Sequence, residues 1–242
     1  MLACKSNPLK VEQEETTEID FSGLDEISTK GVEVNIAIVG KSGSGRLSFV
    51  NAIRGLKDSD ENAARKGVEM TSKESISYSQ AENPNLKFSI LPSIDQETFP
   101  AFQSFLEYVE IEKFDAFLIF TAEMFNKRHV ILTKKIKSSN KPIFLIRTNI
   151  ENHNHAEDPN EEKIFQEIKE GLVENLKEVH SDENKTYLIS NNHPDKWDFE
   201  KLAKAIADSL PSPKKECFNK IPKIQNLIAM ENFQNFLKGT VQ

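Results

Sequence analysis

An α/β fold with a mainly parallel sheet, covered by helices on both faces, is predicted by three features of the sequence. Short apolar, β-rich runs alternate with segments of helical periodicity. The runs at 34–39, 114–120 and 143–146 are apolar almost throughout, as strands buried on both faces require. A glycine-rich turn, Gly40 to Gly45, joins the first run to a helix.

The elements follow in chain order. Residues 1–30 carry seven acids and three lysines with little periodicity, and read as an acidic arm. Strand 34–39 stops at Gly40. Leu47, Val50, Ile53 and Arg54 then keep helical spacing up to Gly55, a C-terminal cap. Residues 57–73 are polar and aperiodic, which predicts a long exposed loop. Strands are expected at 75–79 and 86–91, with Asn83-Pro84-Asn85 as the turn between them. Phe102, Phe105, Leu106 and Val109 mark one helix face; Val130, Ile131 and Ile136 among lysines mark another. Pro142 opens strand 143–146. A polar loop, 149–160, precedes a helix with Ile164, Phe165, Ile168, Leu172, Leu176 and Val179 on one face. A last strand is read at 187–189. A last core helix carries Phe199, Leu202, Ala203, Ile206 and Leu210, and is expected to stop at Pro211 and Pro213. An extra amphipathic helix is read at 222–238. The division is therefore an arm (1–30), an α/β domain (31–213) and a helical extension (214–242).

Composition narrows the function classes. A chain of 242 residues can bury a core without disulfide or metal staples. Thirty-one basic against 38 acidic residues gives −7, which argues against a nucleic-acid partner and against electrostatic attachment to anionic lipid. Cys4 and Cys217 alone make neither a disulfide framework nor a zinc site, and fit a reducing compartment. No apolar stretch approaches the ~18 residues of a membrane span. The N-terminus lacks the order of a signal peptide, and Leu2 excludes N-myristoylation. The expected location is cytoplasmic, with peripheral membrane contact left open.

The chemistry is concentrated in the glycine turn. A phosphate-binding loop reads G-x-x-x-x-G-K-[ST]. Here Gly40, Lys41, Ser42, Gly43, Ser44, Gly45, Arg46 and Leu47 occupy those positions. Such a loop turns backbone N–H groups inward, and the helix behind it presents its positive end. Arg46 replaces the lysine that reaches the β- and γ-phosphates, keeping the charge on a bulkier, planar fork. Leu47 replaces the hydroxyl residue that binds Mg²⁺ and has no oxygen to offer. Ser48 would substitute only through a shift of register, because successive helical residues point about 100° apart. The motif alone fits both a retained nucleotide site and a mere tight turn.

At these residues the sequence resembles the G domain of the immunity-related (interferon-inducible) GTPases. The resemblance starts at Ile36-Ala37-Ile38-Val39-Gly40, is most specific at Ser48-Phe49-Val50-Asn51-Ala52-Ile53-Arg54-Gly55, and extends over about residues 33–240. It implies a Ras-like P-loop G domain. It likens 61–69 to the first switch region, with Thr71 or Ser72 as the switch threonine. The second-switch motif, D-x-P-G, falls on Ile90-Leu91-Pro92-Ser93. The guanine motif, T-K-x-D, falls on Thr148-Asn149-Ile150-Glu151, and Ser190-Asn191 would add contacts to the base. Glu151 carries the carboxylate fork one methylene further out than the family's aspartate. Leu47 and Ile90 together remove both side-chain contributors to the Mg²⁺ shell.

The resemblance therefore implies a degenerate, pseudo-GTPase-like protein. GTP or GDP would be held weakly, without Mg²⁺ and without a catalytic residue. The implied partners are related GTPases or immune proteins, met through the G-domain face around the glycine loop and 57–73. Nothing at the level of sequence separates GTP from GDP. The family's large helical domain is expected to be mostly lacking. A slow GTPase using Arg46, Ser48 and Glu151, and an interaction module with an empty pocket, stay open as alternatives. His153, His155, Glu157 and Asp158 read as a solvated loop, and Trp197 as packing beside the last core helix.

Overall fold

The computed structural model describes residues 31–65, 74–81, 83–95, 98–153, 161–176, 185–226 and 229–230. Six strands form one sheet in the order β2-β3-β1-β4-β5-β6. They are β1 (Val34–Gly40), β2 (Ile76–Gln80), β3 (Asn83–Ile90), β4 (Ala116–Thr121), β5 (Ile143–Arg147) and β6 (Thr186–Leu188). Only β2 runs antiparallel to its neighbour; the remaining pairs are parallel. The helices are α1 (Arg46–Ile53), α2 (Phe102–Tyr108), α3 (Lys127–Lys137), α4 (Glu161–Leu176), α5 (Phe199–Ser209) and α6 (Ser212–Asn219).

Strand alternation assigns each face its own core. Ile36, Ile38, Phe88, Leu118 and Phe120 pack with Phe49 of α1, Phe199 and Ile206 of α5 and Phe218 of α6. Ala37, Val39, Phe117 and Ile119 pack on the other face with Phe105 of α2, Leu132 of α3 and Leu172 of α4. β4 and β5 are buried at every residue, which explains their uninterrupted apolar runs.

Several expectations are corrected. Asn83-Pro84-Asn85 lies inside β3, whose pairing with β2 starts at Gln80↔Asn83. The ladder passes from Gln80↔Asn83 to Ser79↔Lys87, and pairing with β1 begins only at Leu86. Pro84 thus sits where neither neighbour needs its missing N–H. Residues 57–73 are not uniformly exposed: Ala63 and Ala64 are buried. Asn51 of α1 fixes Ala64 from both sides, accepting from its N–H at 2.7 Å and donating to its carbonyl at 3.0 Å. Pro211 ends α5 as expected, but Pro213 opens a new helix, α6, where the first turn has no use for its N–H.

The boundary expected at 213 falls inside α6. Cys217, Phe218, Ile221 and Ile224 are buried in the core beneath α1 and α5. α6 is tied to the amino ends of the strands by Asp115, which accepts from the Asn35 N–H at 2.9 Å and pairs with Lys214 at 2.6 Å. Helix is described at 222–226 and 229–230; the rest of the extension, the arm, Thr71, Ser72, His155, Glu157, Asp158 and Val179 lie outside the described residues.

Candidate functional site

The glycine loop stands at the carboxyl end of β1, between β3 and β4, the position where open α/β sheets bind ligands. Gly40 is required by close approach: a Cβ there would lie 2.6 Å from the Phe120 carbonyl oxygen and 2.7 Å from Ser44 Oγ. Gly45 has φ +78 and caps α1, so a side chain would be strained as well as crowded against Asn191 and Thr148.

The loop is held from the base side of the pocket. Thr148 is fully buried and donates its hydroxyl to the Ser44 carbonyl at 3.0 Å. Asn191 donates Nδ2 to the Gly45 carbonyl at 3.0 Å. Thr148 therefore positions the loop rather than facing a ligand. Ser190 Oγ accepts from the backbone N–H groups of Asn192 and His193, both at 3.2 Å, and so shapes the turn after β6. Asn149 adopts φ +55, a conformation asparagine tolerates.

Glu151 sits in a short 3-10 turn, Ile150–His153. Its Oε1 accepts from Asn192 Nδ2 at 3.0 Å. Its Oε2 is buried without a hydrogen-bond partner, as is Asn191 Oδ1. Buried acceptors without partners carry a desolvation cost that the surrounding packing has to offset.

The phosphate end differs. Arg46 is buried, and its Nη1 donates to the Leu91 carbonyl at 2.8 Å. Burial pushes its guanidinium down to about 10, with Asp95 opposing the shift, so it stays charged at neutral pH. The Ser42 N–H donates to both Ser93 Oγ and Asp95 Oδ2 at 2.9 Å. Leu47 packs against the core, and Ile90 is fully buried in it. Ser48 lines a cleft with Asn51, Asn191 and Asn192. Ser42 and Gly43 form the exposed rim, with Lys41 half-buried beside them.

Sequence reasoning missed three residues here. Asp95 reaches the loop from beyond β3. Arg128 of α3 donates Nη1 to the carbonyls of Ile94 (2.9 Å) and Phe99 (2.8 Å), fixing the segment after β3. His129 is buried and forms a capping box with Asn126; burial pushes its imidazole down to about 4. A long basic residue at the start of a helix is a weak signal for such a clamp, and nothing in the spacing announces Asp95.

Known proteins are similar to this chain in sequence. A family model described as interferon-inducible GTPase (IIGP) covers residues 13–242. Interferon-inducible GTPase 1 of Mus musculus is 30% identical over 215 residues, spanning 86% of this chain and 52% of the relative. Immunity-related GTPase family M protein 1 of Mus musculus is 31% identical over 182 residues, spanning 74% and 44%. The chain thus spans about half the length of the curated relatives it matches. A solved probable GTP-binding protein, engB, superposes at TM-score 0.46 and 14% identity over 73% of this chain and 98% of that one. On the family match across nearly the whole sequence, this Ras-like α/β chain belongs to the interferon-inducible GTPase family.

Proposed function

We propose that this chain is a pseudo-GTPase: it holds a guanine nucleotide weakly and acts through protein–protein contacts with related GTPases or immune partners. The observation that carries the reading is the fate of the two Mg²⁺-shell positions. Leu47 packs against the core, and Ile90 is completely buried in it. The residues present fit a guanine base and a diphosphate, through Glu151, Asn191 and the glycine loop. They do not fit a nucleotide-bound Mg²⁺, because neither position offers an oxygen. Phosphoryl transfer depends on such charge neutralisation and positioning.

The switch-region counterparts are also tied to the scaffold. Asn51 holds Ala64, and Arg128 holds Ile94 and Phe99. A conformational switch requires a ligand with different affinity for two states, and these ties favour one. The surface offered to partners is the face around the glycine loop. The slow-GTPase alternative needs Ser48 to stand in for Leu47, and Ser48 lines the neighbouring cleft instead.

The test is GTP turnover measured across a Mg²⁺ series. The expected result is no hydrolysis above buffer at any Mg²⁺ concentration. Turnover that rises with Mg²⁺ and disappears in Arg46→Ala would overturn the reading.

A further inference from the structure

The segment leaving β3 brings a carboxylate to a backbone N–H of the glycine loop. Ser42 N–H donates to Asp95 Oδ2 and to Ser93 Oγ, each at 2.9 Å. Ser93 Oγ donates in turn to the same carboxylate oxygen at 2.5 Å. Loops of this kind use their N–H groups to cradle phosphate, and the basic residue behind them reaches the β- and γ-phosphates. Arg46 is that residue here, so its guanidinium marks the terminal-phosphate end of the loop. It is turned onto the Leu91 carbonyl, on the same segment as Ser93 and Asp95, and Asp95 supplies the opposing charge it feels. One end of the cradle already holds an anion of the protein's own.

We propose that Asp95 is a specificity-determining residue: its carboxylate, oriented by Ser93, takes the terminal-phosphate position at the glycine loop, so that the pocket selects a nucleoside diphosphate over a triphosphate. This rests on the guanine-nucleotide reading above. A diphosphate can use the inner N–H groups and leave Asp95 in place. A triphosphate brings like charge onto the carboxylate and competes with it for the Ser42 N–H. The proposal departs from the expectation that nothing in the pocket separates the two nucleotides strongly.

The experiment titrates the full chain with fluorescent GDP and GTP analogues, without Mg²⁺, in the parent, Asp95→Asn, Asp95→Ala and Ser93→Ala, with thermal melts as a folding check. The parent should bind GDP at least tenfold more tightly than GTP. Both Asp95 variants should gain fivefold or more for GTP while GDP stays within twofold. Ser93→Ala, the milder change and the decisive one if the Asp95 variants do not fold, should gain two- to threefold for GTP alone. Unchanged GTP affinity in folded variants overturns the proposal. So does a parallel rise for both nucleotides, which would mean a general charge effect. Binding of neither nucleotide by the parent or any variant overturns the guanine-nucleotide reading itself.

Discussion

The two ends of the pocket have changed in opposite ways. At the base end, Glu151 Oε1 accepts from Asn192 Nδ2, while Glu151 Oε2 and Asn191 Oδ1 are buried without hydrogen-bond partners. At the phosphate end, the groups that would bind a ligand have found partners inside the protein. Ser42 N–H meets Asp95 and Ser93, and Arg46 meets a carbonyl. The phosphate end is satisfied within the protein, and the base end keeps acceptors that the protein does not pair.

The comparison assumes that both ends stand on one rigid support, and α1 is that support. Phe49 packs against Phe120 at 5.1 Å and Phe199 at 5.6 Å, directly behind the loop. Phe49→Ala should cost about 3–5 kcal/mol of stability, the range for emptying a buried aromatic site. Urea denaturation measures it. A loss below about 1 kcal/mol would mean that packing does not hold the loop.

Acidification probes His129, which packs near the phosphate end. His129 is fully buried, and its imidazole is held down to about 4, first by desolvation. Its ordinary value is about 6.5, so the unfolded chain takes up the proton first as pH falls. The stabilising contribution is complete above about pH 6.5 and is lost progressively down to about pH 4. It amounts to about 3 kcal/mol. Unfolding free energies at pH 7 and pH 4.5 should show most of this fall in the parent, and a smaller fall in His129→Gln. Equal pH dependence in both would remove His129 from the account.

The smallest effect sharpens the base end. Glu151→Ala removes the acceptor fork and should weaken GDP binding about tenfold, or about 1.4 kcal/mol, with ADP unaffected. Equal losses for both nucleotides would show that Glu151 serves the fold of the loop and not the base. Placing lysine at 149 is a poor route to restoring the family motif, because φ +55 disfavours it by about 1–2 kcal/mol.

What the sequence revealed follows from local physics. β1, β4 and β5 are buried on both faces, so their apolar runs could have no other use. The glycine loop declared itself because Gly40 and Gly45 satisfy constraints that few other residues meet. Proline misled twice for one reason: its meaning depends on whether a neighbour needs its N–H. At Pro84 and Pro213 none does. Asp95 was illegible because its role depends on the distance between two loops 53 residues apart. The same holds for Arg128, whose acceptors lie about 30 positions earlier in the chain.

The Asp115–Lys214 tie has a mechanical consequence. It fastens α6 at the foot of the sheet, while the glycine loop crowns the opposite end. β1 runs between them with β3 and β4 alongside, and its seven residues span about 23 Å. Hydrogen-bonded to β3 on one side and β4 on the other, that strand can neither slide nor shorten without breaking two ladders. The glycine loop and α6 are thus held at a fixed separation by a continuous three-strand ladder.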